Sequence, residues 1–323
     1  MASITAVSLF SGCGGFDLGV KNCAVDIIWA NDIDSHAASA YKSLFPDVEF
    51  VHKDIQEISA IPSADILIGC YPCTGFSEAS RRRAKNQRRR DLRKNPTNFL
   101  FQELLKSIKI VQPKFIFIEN VRGMLSASKG YFMNEQIQGI QSLGYTNVQF
   151  RLLNAEHFGV PQSRKRIFIV GIHNSVQDFN YSFPQETHGF DKPNPIKNQM
   201  DVLTGMPQWP KGEYSKTDFH GHYLTRNRKR SWDLPSYTIV ANADHVPLHP
   251  MGDPMEKVGT DRWILKGEAN RRLSWRECAR LQGLPDNIEI EGSLSAKYKV
   301  IGNSVPPILA EAVAKPAVQL LTQ

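Results

Sequence analysis

The sequence predicts an α/β chain: a doubly wound, mostly parallel seven-stranded sheet with a smaller, irregular region set in before the last helix. Three observations predict it. Short apolar runs alternate with helical patterns through roughly the first half, as in a sheet covered by helices. A glycine-rich turn follows the first apolar run directly. After about residue 174 the texture changes to Pro, His, Asn and Gly with little sustained period.

The strand runs fall at 5–10 (TAVSLF), 26–30 (DIIWA), 48–52 (VEFVH), 65–69 (DILIG), 115–119 (FIFIE), 147–153 (NVQFRLL) and 167–172 (IFIVGI). A helix is predicted over 98–111, with Phe101, Leu104, Leu105, Ile108 and Val111 as its apolar stripe, Asn98 as its cap and Pro113 beyond its end. In the irregular region one strand is expected at 237–241 (YTIVA) and a helix at 274–282 (SWRECARLQ). The last helix starts near Pro306 and runs through ILAEAVAK. The expected division is 1–174 plus 295–323 for the sheet domain and 175–294 for the second.

With 41% apolar residues in 323, the chain can bury one large core and a smaller appended one. No window of about 18 apolar residues occurs, so no membrane span is expected. The opening Met-Ala-Ser-Ile-Thr lacks a secretory pattern, and five cysteines are too few and too odd for a disulfide framework; a reducing cytoplasm is expected. The net charge of +7 is local. Residues 81–94 hold nine Lys/Arg against one Asp, a balance of +8, so the remainder sums to −1. Such a run attracts phosphates, or else is only a solvated loop.

Phe10-Ser11-Gly12-Cys13-Gly14-Gly15 lets the backbone turn tightly against a ligand, but its spacing is not the G-x-G-x-x-G of nicotinamide binders. Asp32, after the second strand, is placed for ribose hydroxyls, and Asp54, after the third, for an adenine amino group; either could instead cap a helix. The fourth strand ends in Gly69-Cys70-Tyr71-Pro72-Cys73-Thr74-Gly75-Phe76-Ser77. The C-x-x-C pair could be redox-active or half a zinc site, yet no second C-x-x-C exists and no metal is expected. The remaining reading is one nucleophilic thiol at a strand end, activated by nearby cations. Glu119, ending the buried F-I-F-I run, can act as an acid towards a bound base. Gln162, Arg164 and Arg166 alternate onto one face, with Lys165 on the other. Two arginines leading into a buried strand need a ligand or a salt bridge, Glu119 or Asp32 being the structural alternative.

Taken together, these residues resemble the DNA (cytosine-5) methyltransferase family, of the bacterial restriction-modification type, along nearly the whole chain. F-S-G-C-G-G at 10–15, N-D-I-D at 31–34, D-I at 54–55, P-C at 72–73, E-N-V at 119–121 and Q-x-R-x-R at 162–166 match its motifs in order. So do R-R-L-S-W-R-E-C-A-R-L-Q-G-L-P-D at 271–286 and Y-K-V-I-G-N-S-V at 298–305. The resemblance implies the S-adenosylmethionine-dependent methyltransferase fold and methylation of carbon 5 of a flipped-out cytosine in double-stranded DNA. It implies that Cys73 adds to carbon 6, Glu119 protonates nitrogen 3, Arg166 holds the base carbonyl oxygen and Arg164 steers base or cysteine. S-adenosylmethionine would meet Phe10, Ser11, Gly12, Cys13, Gly14, Gly15, Asn31, Asp32, Ile33, Asp54, Ile55, Cys70, Pro72, Leu100, Asn303, Ser304 and Val305. DNA would meet Ser77, Arg81, Arg82, Arg83, Arg88, Arg89, Arg90, Gln162, Arg226, Arg228 and Arg230. A monomer is expected, with any cognate restriction endonuclease acting independently.

The chain departs from the family at Thr74, where Gln is common, and at Ile33, where an aromatic often stacks on adenine. The segment after Ser77 is unusually arginine-rich and ends R-K-N-P-T-N in place of D-x-R-G, which reads as a loop closing over DNA with altered phosphate contacts. Competing readings are the same chemistry on transfer RNA, a non-catalytic nucleic-acid binder, and a nicotinamide oxidoreductase. The intact Cys73 disfavours the second and the missing G-x-G-x-x-G the third.

Overall fold

The computed structural model describes residues 3–72, 75–76, 92–176 and 181–322. Each of the seven strand runs expected before residue 174 is a strand: β1 (Thr5–Leu9), β2 (Asp26–Asp32), β3 (Glu49–His52), β4 (Ile66–Gly69), β5 (Phe115–Val121), β6 (Asn147–Asn154) and β7 (Lys165–Ile172). They form one sheet in the order β3-β2-β1-β4-β5-β7-β6. The first five run parallel, and β7 lies antiparallel to both β5 and β6. The connection from β6 to β7 explains that reversal. It spans only residues 155–164, and a parallel return needs a longer crossover.

Helices cover both faces: α1 (Gly15–Lys21), α2 (Ser35–Leu44), α3 (Phe101–Val111) and α4 (Tyr131–Ser142). Alternation along the buried strands sorts their side chains. Ala6, Ile66, Ile68, Phe115, Phe117, Phe168 and Val170 pack with α1 and with the last helix, while Val7, Leu67, Ile116, Ile118, Ile167 and Ile169 pack with α3 and α4. Helix α3 keeps the apolar stripe read from the sequence but not its cap. Asn98 lies in the preceding 3-10 turn Pro96–Phe99, where Asn95 Oδ1 accepts from the Thr97 N–H at 3.1 Å. Asn98 donates instead to the Leu92 carbonyl at 2.9 Å, and α3 starts after Leu100 without a side-chain cap.

Beyond β7 the described chain is largely irregular, with α5 (Met200–Leu203), the hairpin β8 (Glu256–Gly259) and β9 (Arg262–Ile264), then α6 (Trp275–Gln282), α7 (Leu294–Asn303) and α8 (Pro307–Leu321). The strand expected at 237–241 is absent. This segment is held alongside 161–164, but side chains take the main-chain positions: Ile239 gives its N–H to Gln162 Oε1 at 2.9 Å, and its carbonyl accepts from Arg164 Nη1 at 3.1 Å. One isolated bridge, Gln162 to Ser236, is all the ladder that forms. Among the described residues no helix is long and apolar enough to cross a membrane.

A third core joins this region to the sheet domain, with Leu203, Ile239, Val246, Trp275, Leu281 and Tyr298 packed against Cys13, Ala37 and Ala40. Helix α6 is anchored there by a capping box, the Ser274 hydroxyl accepting from the Glu277 N–H while the Glu277 carboxylate accepts from the Ser274 N–H at 2.7 Å. Arg271 closes on that carboxylate with two hydrogen bonds of 2.7 Å, and both side chains are buried. Removing one partner strands the other charge. Arg271→Ala should therefore cost about 3–5 kcal/mol, read as a lower urea midpoint; an unchanged midpoint would show that water reaches Glu277.

Candidate active site

Strand order reverses between β1 and β4, the place where doubly wound sheets open a crevice at their carboxyl ends. Every expected site residue that falls in the described chain before residue 170 belongs to this end of the sheet or to the loops leaving it. β1 stops at Leu9 because Phe10 turns into the left-handed region at φ 54°, followed by Gly12 at 57° and Gly14 at 81°. A Cβ on Gly15 would stand 2.1 Å from Ser304 Oγ and 2.2 Å from the Val305 carbonyl oxygen. The turn is thus pressed onto the segment returning between α7 and α8, and only glycine permits that approach.

Asp32 supports the same turn. One carboxylate oxygen accepts from the Gly12 N–H at 2.9 Å and the other from the Asp34 N–H at 2.8 Å, while burial raises its pKa. Asn31 is a clamp, its amide donating to the Val51 and Lys53 carbonyls at 2.8 and 2.9 Å and so joining β2 to the end of β3. Ile33 stands 62% exposed beside them, an apolar surface at the mouth. Asp54 caps the short turn that follows β3 with one oxygen, on the Gln56 N–H at 3.0 Å, and Ile55 is buried in the sheet core. Cys13, Ser304 and Val305 are buried, burial lifting the Cys13 thiol to about 11; Asn303 and Pro72 are exposed, and Cys70 and Leu100 are half-buried.

On the other side of β4, Glu119 and Arg166 face each other across the β5–β7 pair, Glu119 Oε1 lying 3.0 Å from Arg166 Nε. Glu119 is buried, and burial raises its pKa against the pull of Arg166 and Arg164. Its Oε1 has no well-aligned hydrogen bond among the described residues, so a buried acceptor is left over at the strand end. The salt bridge weighed from the sequence therefore exists, to Glu119 and not to Asp32. Arg164 is 1% exposed and donates to the carbonyls of Ile239 (3.1 Å), Gly302 (3.1 Å) and Ser304 (3.0 Å).

Two residues quoted in motifs but given no role do structural work here. Asn120 donates to the Tyr71 carbonyl at 3.3 Å and accepts from the Val121 N–H at 2.8 Å, tying β5 to the segment leaving β4. Gln282, at the end of α6, accepts from Gln162 at 2.7 Å and donates to the Ser304 carbonyl. Their signal was type and place: an amide next to the acid, and an amide ending a buried helix.

The nucleophile candidate Cys73 lies outside the described residues, as do Thr74, Ser77, Arg81, Arg82, Arg83, Arg88, Arg89 and Arg90. On either side of Cys73 the chain is firmly seated. Tyr71 is 3% exposed, and Phe76 is fully buried against Phe132 with ring centroids 4.8 Å apart. Two residues expected at DNA are placed otherwise. Gln162 is fully buried and bonded to Leu281, Gln282 and Ile239. Arg228 is 5% exposed, donating to the Tyr223 and His245 carbonyls at 3.1 Å each and lying over the Tyr223 ring. Arg230 donates to the Pro235 carbonyl and stacks over Tyr237, whereas Arg226 is exposed.

Comparison with known proteins gives this geometry a context. The family model for the C-5 cytosine-specific DNA methylase matches residues 4–319. The Type II methyltransferase M.BsuRI of Bacillus subtilis is 37% identical over 355 residues, spanning 97% of this chain and 79% of its own length. M.FnuDI of Fusobacterium nucleatum, also a Type II methyltransferase, is 34% identical and covers 98% of this chain and 94% of its own. Among solved structures, S. pombe Dnmt2 methyltransferase matches with a TM-score of 0.67 over 99% of both chains; at 19% identity that likeness speaks for the fold alone. The chain belongs to the C-5 cytosine-specific DNA methylase family and is a DNA (cytosine-5) methyltransferase.

Proposed function

We propose that the methyl donor is S-adenosylmethionine, that Cys73 is the nucleophile, and that the cytosine is taken from a specific sequence in double-stranded DNA. The observation that carries this reading is the buried Glu119–Arg166 pair at the end of β5, beside the β4 end that leads into Cys73. The donor side fits an adenosine. Asp32 keeps unused lone pairs for hydroxyls after its two N–H bonds, Asp54 keeps one oxygen, Ile33 offers an apolar surface, and open space surrounds the position of a Cβ on Gly12. When bound, S-adenosylmethionine supplies a methyl group made electrophilic by its sulfonium.

The protein's own residues do the rest. The Cys73 thiolate adds to carbon 6 of the extrahelical cytosine while Glu119, whose pKa burial raises, gives its proton to nitrogen 3. Arg166 holds Glu119 in place and meets the base carbonyl oxygen; Arg164 fixes the strand on which Arg166 sits. After carbon 5 has gained the methyl group, nitrogen 3 returns its proton to Glu119, carbon 5 loses its own proton to a base, the carbon–sulfur bond breaks to release the Cys73 thiolate and the ring double bond re-forms. Residues 1–174 plus 295–323 form the catalytic domain in this reading, and 175–294 read the DNA. The chain works as a cytoplasmic monomer, with any cognate endonuclease separate.

With labelled donor offered duplex DNA and transfer RNA in parallel, the wild type should label DNA, and Cys73→Ala should label neither while still binding DNA; transfer to RNA alone would overturn the substrate, and residual turnover the nucleophile. Glu119→Gln should lower kcat by roughly 10²–10⁴-fold. Because burial raises the Glu119 pKa, its acid form is lost as pH rises through that value, so wild-type kcat should fall on the alkaline side and the variant should lack that limb. Replacing Arg88, Arg89 and Arg90 by Ala should weaken binding to all sequences and make the slope of log K against log salt shallower by about 0.9 for each phosphate that is no longer neutralised; an unchanged slope would make the run a solvated loop.

A further inference from the structure

One side chain is left by the fold wholly in solvent. Phe190 is fully exposed, the most exposed large apolar residue among those described. It does not sit in a loose tail. Residues 187–194 close on themselves through the Gly189 N–H to the Asn194 carbonyl (3.0 Å) and the Asn194 N–H to the Thr187 carbonyl (3.1 Å), and the Asn194 side chain adds a further bond to Thr187. The base of the loop is fastened in turn. The N–H groups of Thr187 and His188 both donate to the His157 carbonyl at 3.0 Å, His157 Nδ1 lies 2.6 Å from Glu186 Oε1, and the His188 ring lies against Gly159.

The platform under this loop is therefore the 155–164 connection, the stretch that delivers Gln162, Arg164 and Arg166 to the site. Because β6 runs in the same direction as β5, that connection leaves the same end of the sheet as Glu119. None of the bonds that shape the loop involves the Phe190 side chain, so the fold does not require an aromatic there. An aromatic ring held out by a pre-shaped loop offers a flat face without a large ordering cost on binding. Lys192 follows two residues later, its stem folded over Gly189.

We propose that Phe190 is a DNA-contacting residue that packs its ring on a deoxyribose of the duplex flanking the target cytosine. The partner is the enzyme's own nucleic-acid substrate because the loop is continuous with the connection that carries the base-site arginines. A sugar face carries no base identity, so the contact adds affinity and register without reading sequence. This inference rests on the DNA reading above and adds a residue that the family motifs do not contain.

The test is Phe190→Ala measured on long duplexes and on a series shortened base pair by base pair from each end. Burial of one aromatic ring predicts roughly a tenfold or greater rise in Kd for the long duplex, with kcat at saturating DNA and the KM for the donor unchanged. Wild type should lose that same factor when one flank is trimmed, and the variant should be indifferent to the trimming. Phe190→Trp should restore tight binding. Equal losses for wild type and variant on trimming, or equal Kd on the long duplex, would overturn the proposal. So would a loss traced by sedimentation to self-association of the chain. Because methyl transfer to saturating duplex is measured in the same experiment, failure of the DNA reading would appear as no transfer by either protein, distinct from failure of the Phe190 assignment.

Discussion

The arrangement depends on one buried cation. Arg164 carries its charge into the interior with no carboxylate in direct contact among the described residues, a costly placement that three carbonyl oxygens and the neighbouring Glu119 offset. Those carbonyls belong to Ile239 and to the 302–304 return, so a single guanidinium fastens three distant stretches of sequence at one point. Gln162 and Gln282 repeat the tie two residues away, again ending on Ser304. Ser304 and Val305 in turn press on Gly15. The donor-side turn, the irregular region and the base site are therefore held in register by the same few polar bonds.

The period of an extended chain explains how one stretch serves several ends. Gln162, Arg164 and Arg166 share a face; the first two bind the irregular region, and the third reaches Glu119. This works because β7 is antiparallel. A short connection from β6 turns the chain back, so the start of β7 meets the end of β5, with Arg166 opposite Val121 and Ile167 opposite Asn120. A parallel strand in that place would bring its arginines to the opposite end of the sheet. The inward turn of β7 and the chemistry at its first residues are one feature.

The fold was legible because its signal is local. Seven apolar runs with the right spacing became seven strands, and the α3 stripe at 101, 104, 108 and 111 is the buried face of that helix. The pairing of Glu119 with an arginine was also within reach, since a charge on a buried strand must find a partner. What the sequence could not show is which polar atoms would be spent internally. Gln162 and Arg228 look like DNA-facing residues by type, but burial turned both into fasteners. The run at 237–241 has strand composition and yet forms no ladder, because Gln162 and Arg164 side chains occupy the Ile239 main-chain groups. Asn98 caps no helix for a similar reason, a 3-10 turn capped by Asn95 having formed ahead of α3, which starts without a side-chain cap. Each miss came from contacts between side chains and backbone that the apolar pattern does not encode.

The central claim is that the base is attacked by one thiol. Duplex DNA carrying 5-fluorocytosine at the methylated position tests it most directly, because a fluorine at carbon 5 cannot depart as a proton once the methyl group has been added. Incubation with donor should give a complex that survives denaturation, and mass spectrometry of the digested protein should place the methylated fluorocytosine on Cys73. An adduct on another residue, or complete absence of a trapped complex with DNA that is methylated when unfluorinated, would contradict the account.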